Sequence, residues 1–221
     1  MPLFYLSVKY LPGILLLTWL ILSPVNTQAS ATIEGKVLLP EGPTVEVINK
    51  RYAISGEQAV IMPDPPAAVI YLEGAPLSSK TPLPAKMTQK GFDFIPRLLP
   101  IQVGTAVEFP NLDGTYHSIF SFSKTKRFDL GRYRSDETPI PSVIFDKAGP
   151  VVLRCDIHEH MRAIILVLDT SYFQLSDAKG NYRLAGLPTG SYKLKAWLND
   201  KLTLEKPVTL KDGQTLHVDF P

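Results

Sequence analysis

Beyond residue 31, no segment of this chain keeps a helical apolar period for a dozen residues. Its 20 prolines and 14 glycines recur without a fixed period and cut the chain into short runs rich in Val, Ile, Leu, Phe and Tyr. Proline fixes φ and removes a backbone donor, and glycine weakens any regular element it interrupts. A chain punctuated this densely cannot sustain long helices. Short β-branched and aromatic runs between such breaks read as strands. The fold class is therefore all-β, built as sandwiches.

Thr32 to Leu39 alternates through Ile33, Gly35, Val37 and Leu39 and reads as a strand. A polar, proline-bearing stretch from Pro40 to Pro66 reads as a long loop with some local structure. Ala67 to Leu72 is a strand of the buried type, ending at Glu73-Gly74. Pro76 to Pro84 has linker composition. From Lys86 strands follow closely: Lys86–Lys90, Phe92–Val103, Ala106–Phe109, His117–Phe122, Arg127–Leu130, Ser142–Phe145, Val151–Cys155 and Ala163–Leu168. Eight strands over this span match a small Greek-key sandwich. The tail places turns at Asp177–Gly180, Gly186–Gly190 and Lys211–Gln214, between alternating strands such as Tyr192–Trp197 and Thr215–Phe220.

Residues 1–31 read as a secretory signal. Lys9 supplies the positive charge, Leu11 to Leu22 the apolar core, and Thr27-Gln28-Ala29 or Ala29-Ser30-Ala31 the small-residue cleavage site. No cysteine lies there, which excludes a lipoprotein anchor. The apolar core falls short of the roughly 20 residues of a spanning helix. Stretched from Pro2 to Val25, it would serve as an uncleaved membrane anchor. Either way the rest of the chain is expected in the periplasm. Lys9 is the only charged residue before position 32, so 22 basic face 21 acidic side chains in the remainder. That balance excludes nucleic acid as a partner.

Cys155 is the only cysteine. Exported proteins usually keep cysteines in even numbers, as disulfides. A lone exported thiol is open to oxidation and needs another reason to be present. It is followed at short spacing by His158 and Met161. A thiolate, an imidazole and a thioether together suit copper. His117 begins a different strand after the turn Asn111-Leu112-Asp113-Gly114 and can reach the same end of the sandwich. The set Cys155, His117, His158 and Met161 is that of a blue-copper site. His160 competes with His158 for one position. His217, on the last strand, reads as an ordinary surface or half-buried histidine.

The segment from about Met87 to Leu168 resembles a cupredoxin. Cys155-Asp-Ile-His158-Glu-His-Met161 matches the Cys-x-x-His-x-x-Met loop of amicyanin, and Val107 to His117 resembles the approach to the family's first histidine ligand. Phe128–Gly131 and Phe145–Gly149 resemble later strands and turns of that family. The resemblance implies one type 1 copper held by His117, Cys155, His158 and Met161, and it favours His158 over His160, which it would leave pointing to solvent. It also implies that His158 presents an imidazole edge to partners, with Ile157 and the loop before His117 supplying an apolar patch. The sequence departs from the pattern at Ser118, where many relatives carry asparagine, and in a ligand loop without proline. Both changes imply a looser loop or a shifted potential. The whole chain also resembles bacterial exported proteins labelled methylamine-utilisation or plastocyanin-like.

Ser176–Leu184 and Gly186–Trp197 resemble carboxypeptidase-regulatory-like or transthyretin-like β-modules. The implied division is a signal at 1–31, a first part of the β-module at 32–80, a copper domain at 81–168 inserted within it, and a second part at 169–221. Some such modules bind sugars, and Tyr172, Tyr192 and Trp197 are candidates to stack on a ring. Strand alternation favours them as core aromatics instead.

These readings lead to a periplasmic carrier of single electrons that docks transiently with redox proteins. Two alternatives stand beside it. One is copper sequestration or delivery. The other is a carbohydrate- or protein-binding β-module with a vestigial copper site. An enzyme is not expected, because a catalytic copper needs further histidines and only His217 remains after His117, His158 and His160.

Overall fold

The computed structural model describes residues 30–40, 47–48, 60–61, 66–77, 81–199 and 201–221. The signal up to Ala29 and most of the loop before Pro66 lie outside the described residues. Every regular element among the described residues is a strand.

Residues 85–168 build one sandwich. Its larger sheet runs Arg127–Tyr133, His117–Phe122, Gly149–Arg154, Arg162–Leu168 and Leu98–Gln102, in that spatial order. Facing it are Ser142–Phe145, Thr105–Glu108 and Ala85–Lys86. The strand after His117–Phe122 and Arg127–Tyr133 belongs to the second sheet, and Gly149–Arg154 returns beside His117–Phe122. Met87, Phe94, Phe109, Ile119, Phe145, Leu153, Met161 and Ile165 fill the space between the sheets. Each such side chain, fully removed from water, stabilises the fold by about 1.5–3 kcal/mol.

The strands on either side of this block pair with one another. Ala31–Lys36 lies antiparallel to Asn181–Leu187 and parallel to Thr215–His217. Val69–Glu73 lies between Phe173–Leu175 and Gly190–Asn199, and the last of these pairs with Leu202–Leu210. Ile33, Ile70, Leu72, Leu184, Leu187, Leu194 and Leu210 form their shared core. Gly35 is required inside this stack: a Cβ there would lie 1.8 Å from the Val218 carbonyl oxygen.

The two sandwiches meet through a third apolar cluster, built from Val69, Leu166, Leu168 and Trp197. The strand Arg162–Leu168 explains why. Ala163, Ile165 and Val167 point into the first sandwich, and Leu166 and Leu168 point toward the second. Alternate residues of a strand face opposite sides, so a continuous apolar run marks burial on both.

Two expected strands are broken: Lys86–Lys90 divides into Ala85–Lys86, paired with Thr105–Glu108, and Thr88–Gln89. Phe92–Val103 is not continuous: Phe94–Ile95 pairs with Thr88–Gln89, and Leu98–Gln102 pairs with Arg162–Leu168. Pro96 supplies no backbone donor for a ladder between the two pieces. Gly91 and Phe92, at φ 63° and 61°, form a left-handed turn that folds toward His117 and His158.

Candidate metal centre

Two local structures bring the cluster together. The first is the turn before His117. Asn111 is buried; its Oδ1 accepts from the Asp113 amide, and its Nδ2 donates to the carbonyls of Thr115 and Tyr133. This asparagine turn sets where the strand His117–Phe122 begins. The second is the loop 155–161 between the paired strands Gly149–Arg154 and Arg162–Leu168. Within it the Met161 amide donates to the His158 carbonyl at 2.9 Å. Cys155 and Met161 therefore sit at the two feet of a closed hairpin, with His158 near its tip.

His117, Cys155 and His158 are all buried, and each offers a ligand atom within 4.8 Å of the others. His117 Nδ1 and His158 Nδ1 face each other at 3.0 Å, and Cys155 Sγ lies 3.7 Å from His158 Nδ1. Met161 is fully buried in the adjoining core. His160 does not join this set. Its Nε2 lies 2.9 Å from the Phe92 carbonyl oxygen, and its half-buried ring faces that turn rather than solvent.

The electrostatics separate the roles of the two histidines. Burial lowers the pKa of His117, but hydrogen bonds to Cys155 and Asp113 outweigh it, so His117 holds its proton more firmly than a free imidazole. Burial, together with the charges of His117 and His160, drives His158 down to about 4. Of the two rings, 3.0 Å apart at their Nδ1 atoms, His117 is the one that favours its protonated form and His158 the one held neutral. Burial pushes the Cys155 thiol up, but hydrogen bonds from His117 and from the amides of Ser118, His158 and Ile157 prevail, and the thiol settles at about 7. Two imidazole nitrogens and a thiolate-prone sulfur aimed at one point fit a small soft cation.

Three supporting residues went unassigned in the sequence reading. Asp113 accepts from His117 Nε2 at 2.8 Å; the four-residue spacing across a turn was the available signal. Asp113 also accepts from the amides of Gly91 and Phe92, tying that turn to the same carboxylate. Phe92 lays its ring edge-on against His158 at 5.1 Å and His117 at 5.8 Å. It helps cover His158, which is only 6% exposed, so the imidazole is buried rather than presented at the surface. Ile157 is half-buried against the core, whereas Leu112 and Tyr116 are exposed. Arg132 pairs with Asp156, anchoring the ligand loop to the neighbouring strand.

Ser118 bridges to the cysteine loop despite its short side chain. Its hydroxyl donates to Asp156 Oδ1 at 2.5 Å and accepts from the Asp156 amide at 2.8 Å, while its own amide donates to Cys155 Sγ at 3.5 Å. The aromatic candidates of the tail are placed as packing residues. Trp197 is buried, Tyr172 and Tyr192 pack on the core of their sandwich, and His217 is exposed beside Asp219.

The β-sandwich thus converges two histidines and a cysteine at one end. No protein-family model matches the chain, and no curated protein is similar to it. Similar solved structures include a Cu-containing nitrite reductase from Thermus scotoductus SA-01, at 22% identity and a TM-score of 0.36. That match covers 61% of this chain and 28% of the reductase. Amicyanin from Paracoccus versutus is 17% identical with a TM-score of 0.35, covering 45% of this chain and 97% of amicyanin. A purple cupredoxin from Nitrosopumilus maritimus is 21% identical with a TM-score of 0.34, covering 38% and 99%.

Proposed function

We propose that this chain is an exported carrier of single electrons holding one type 1 copper, with His117, Cys155 and His158 as close ligands and Met161 as a weaker fourth. The observation that carries the reading is the convergence of three buried donors, with both Nδ1 atoms and the sulfur turned to one point. Copper bound there would supply a one-electron couple. The chain's own residues prepare for it. Cys155 offers a thiolate near neutral pH. Asp113 fixes the His117 ring with Nδ1 free for a ligand bond. The surrounding apolar core excludes water, and the two strand pairs hold the donors in place.

Redox proteins are the proposed partners, docking transiently where Leu112 and Tyr116 stand exposed beside the cluster. Periplasmic location is proposed from the signal. The Ser30 amide donates to Asp212, and Ala31 is buried and paired with Leu187, which favours cleavage after Ala29 over cleavage after Ala31. We also propose that 32–80 and 169–221 form one discontinuous β-module around the inserted copper domain 81–168. The strand pairings of Ala31–Lys36 and Val69–Glu73 with the tail support this division.

The test is the visible and EPR spectrum of protein loaded with Cu(II). An intense thiolate-to-copper band with narrow hyperfine splitting is expected, and Cys155→Ser should abolish it. Intense colour retained in that variant would defeat the proposal.

A further inference from the structure

Away from the cluster, one surface carries charges arranged against the stability of its own sheet. Arg154 and Arg162 stand directly opposite each other on paired strands. Both are exposed, and neither meets a carboxylate among the described residues. Like charges in this position are destabilising. Phe120 pairs with Arg154 on its other side, and its ring packs at 5.2 Å on Phe122, which is 71% exposed. These four residues line a groove of about 240 Å³. On the next strand Arg127 lies opposite Phe122 and Asp129 opposite Phe120, so three guanidiniums face one carboxylate.

We propose that this groove docks a protein partner through a carboxylate flanked by an apolar side chain. The guanidiniums present forked donors that bind a carboxylate bidentately. Phe122 provides an apolar anchor beside them, and aromatic residues and arginine are the side chains enriched in protein interfaces. The groove is smaller than the roughly 300 Å³ at which small-ligand pockets begin. Phe122 lines the groove while staying largely exposed, as an anchor for a partner side chain would. A nearly neutral chain with Asp129 on the same face lacks the basic field that selects nucleic acid. Arg154 and Arg162 adjoin Cys155 and Met161 in the chain, but their exposed side chains line the groove and none of the buried donors does, so the docking does not require a bound metal.

The test uses ¹⁵N-labelled full-length protein without metal, titrated with the peptide acetyl-Asp-Glu-Phe-Asp-Glu-amide and with its lysine-for-acid counterpart. The acidic peptide should shift the amides of residues 120–122, 152–154 and 162, and the basic peptide should not. Arg162→Glu should weaken binding by about tenfold or more. That substitution replaces a like-charge pair with an attractive one, so its melting temperature should rise, which separates lost docking from lost folding. Shifts that persist in Arg162→Glu, or that the basic peptide reproduces, would overturn the proposal. So would equal shifts from acetate alone at the same concentration, which would mark a small-anion site. Because the protein is metal-free throughout, the outcome is independent of the copper spectrum.

Discussion

Asp113 Oδ2 accepts a hydrogen bond from His117 Nε2 at 2.8 Å, while the same carboxylate receives the amides of Gly91 and Phe92. Burial raises the pKa of Asp113, but these three hydrogen bonds overcome it and hold the group ionised below the usual carboxylate range. One side chain therefore selects the His117 tautomer and shapes the turn that covers His158. Asp113→Asn should weaken copper retention by about 10–100-fold, the usual cost of losing a partner behind a ligating histidine. Competition against a chelator of known affinity measures it. Unchanged retention would show that Asp113 serves the turn alone.

The cluster's protons fix the direction of its pH response. Copper displaces the Cys155 proton, whose pKa is about 7, and the His117 proton, whose pKa is raised. His158, at about 4, is already neutral at physiological pH and releases none. Affinity should therefore fall by about tenfold or more for each pH unit below 7 and flatten on the alkaline side. Chelator competition between about pH 5.5 and 8.5 should show this bend. A flat profile would mean that the thiolate is not a ligand.

How far the sequence led can be judged residue by residue. That Cys155 and His158 come together was legible because Cys155 and Met161 abut the two strands of one hairpin, and sequence spacing becomes spatial spacing across a closed loop. The runs Ala67–Leu72 and Ala163–Leu168 were legible as buried strands because apolar residues on both faces need cover on both. The left-handed turn at Gly91–Phe92 was not legible. It depends on the Asp113 carboxylate capturing two amides some 20 residues upstream, a contact that no local pattern records. The cover over His158 was missed for the same reason, since Phe92 reaches the site only through that turn.

Phe92 holds a left-handed φ of 61°, a conformation costly for a bulky side chain and kept only where its surroundings demand it. Its ring packs against both histidines, which is the demand. Phe92→Gly should relieve the backbone cost while uncovering His158. Overall stability should change little, and chelator-driven copper loss should accelerate. Slow loss in a folded Phe92→Gly variant would show that the ring does not guard the site.

Met161 is fully buried and tied through its amide to the His158 carbonyl. Met161→Gln keeps the length and the backbone bond but substitutes a harder oxygen donor for the thioether. Harder donors favour Cu(II) over Cu(I), so the reduction potential should fall while the intense colour persists. Burying the amide should also cost about 1–3 kcal/mol of stability in the metal-free protein. Voltammetry and thermal melts measure the two effects separately. An unchanged potential would remove Met161 from the ligand set.

Trp197 lies where the two sandwiches touch, packed with Val69, Leu166 and Leu168. The chain's other tryptophan, Trp19, lies within the proposed signal, so in protein expressed from Ser30 onward Trp197 is the sole indole and reports on this contact. Strand Arg162–Leu168 belongs to the copper sandwich on one face and to the contact on the other, which couples the stability of the two units. Trp197 fluorescence and far-UV circular dichroism should therefore report one coincident unfolding transition. Leu166→Ala removes a side chain that is 4% exposed and should cost about 2–5 kcal/mol. Because the loss falls on the contact while both cores stay intact, the fluorescence change should then precede the loss of strand signal. Coincident curves in that variant would mean that the sandwiches are held together by their two chain connections and edge hydrogen bonds rather than by this apolar contact.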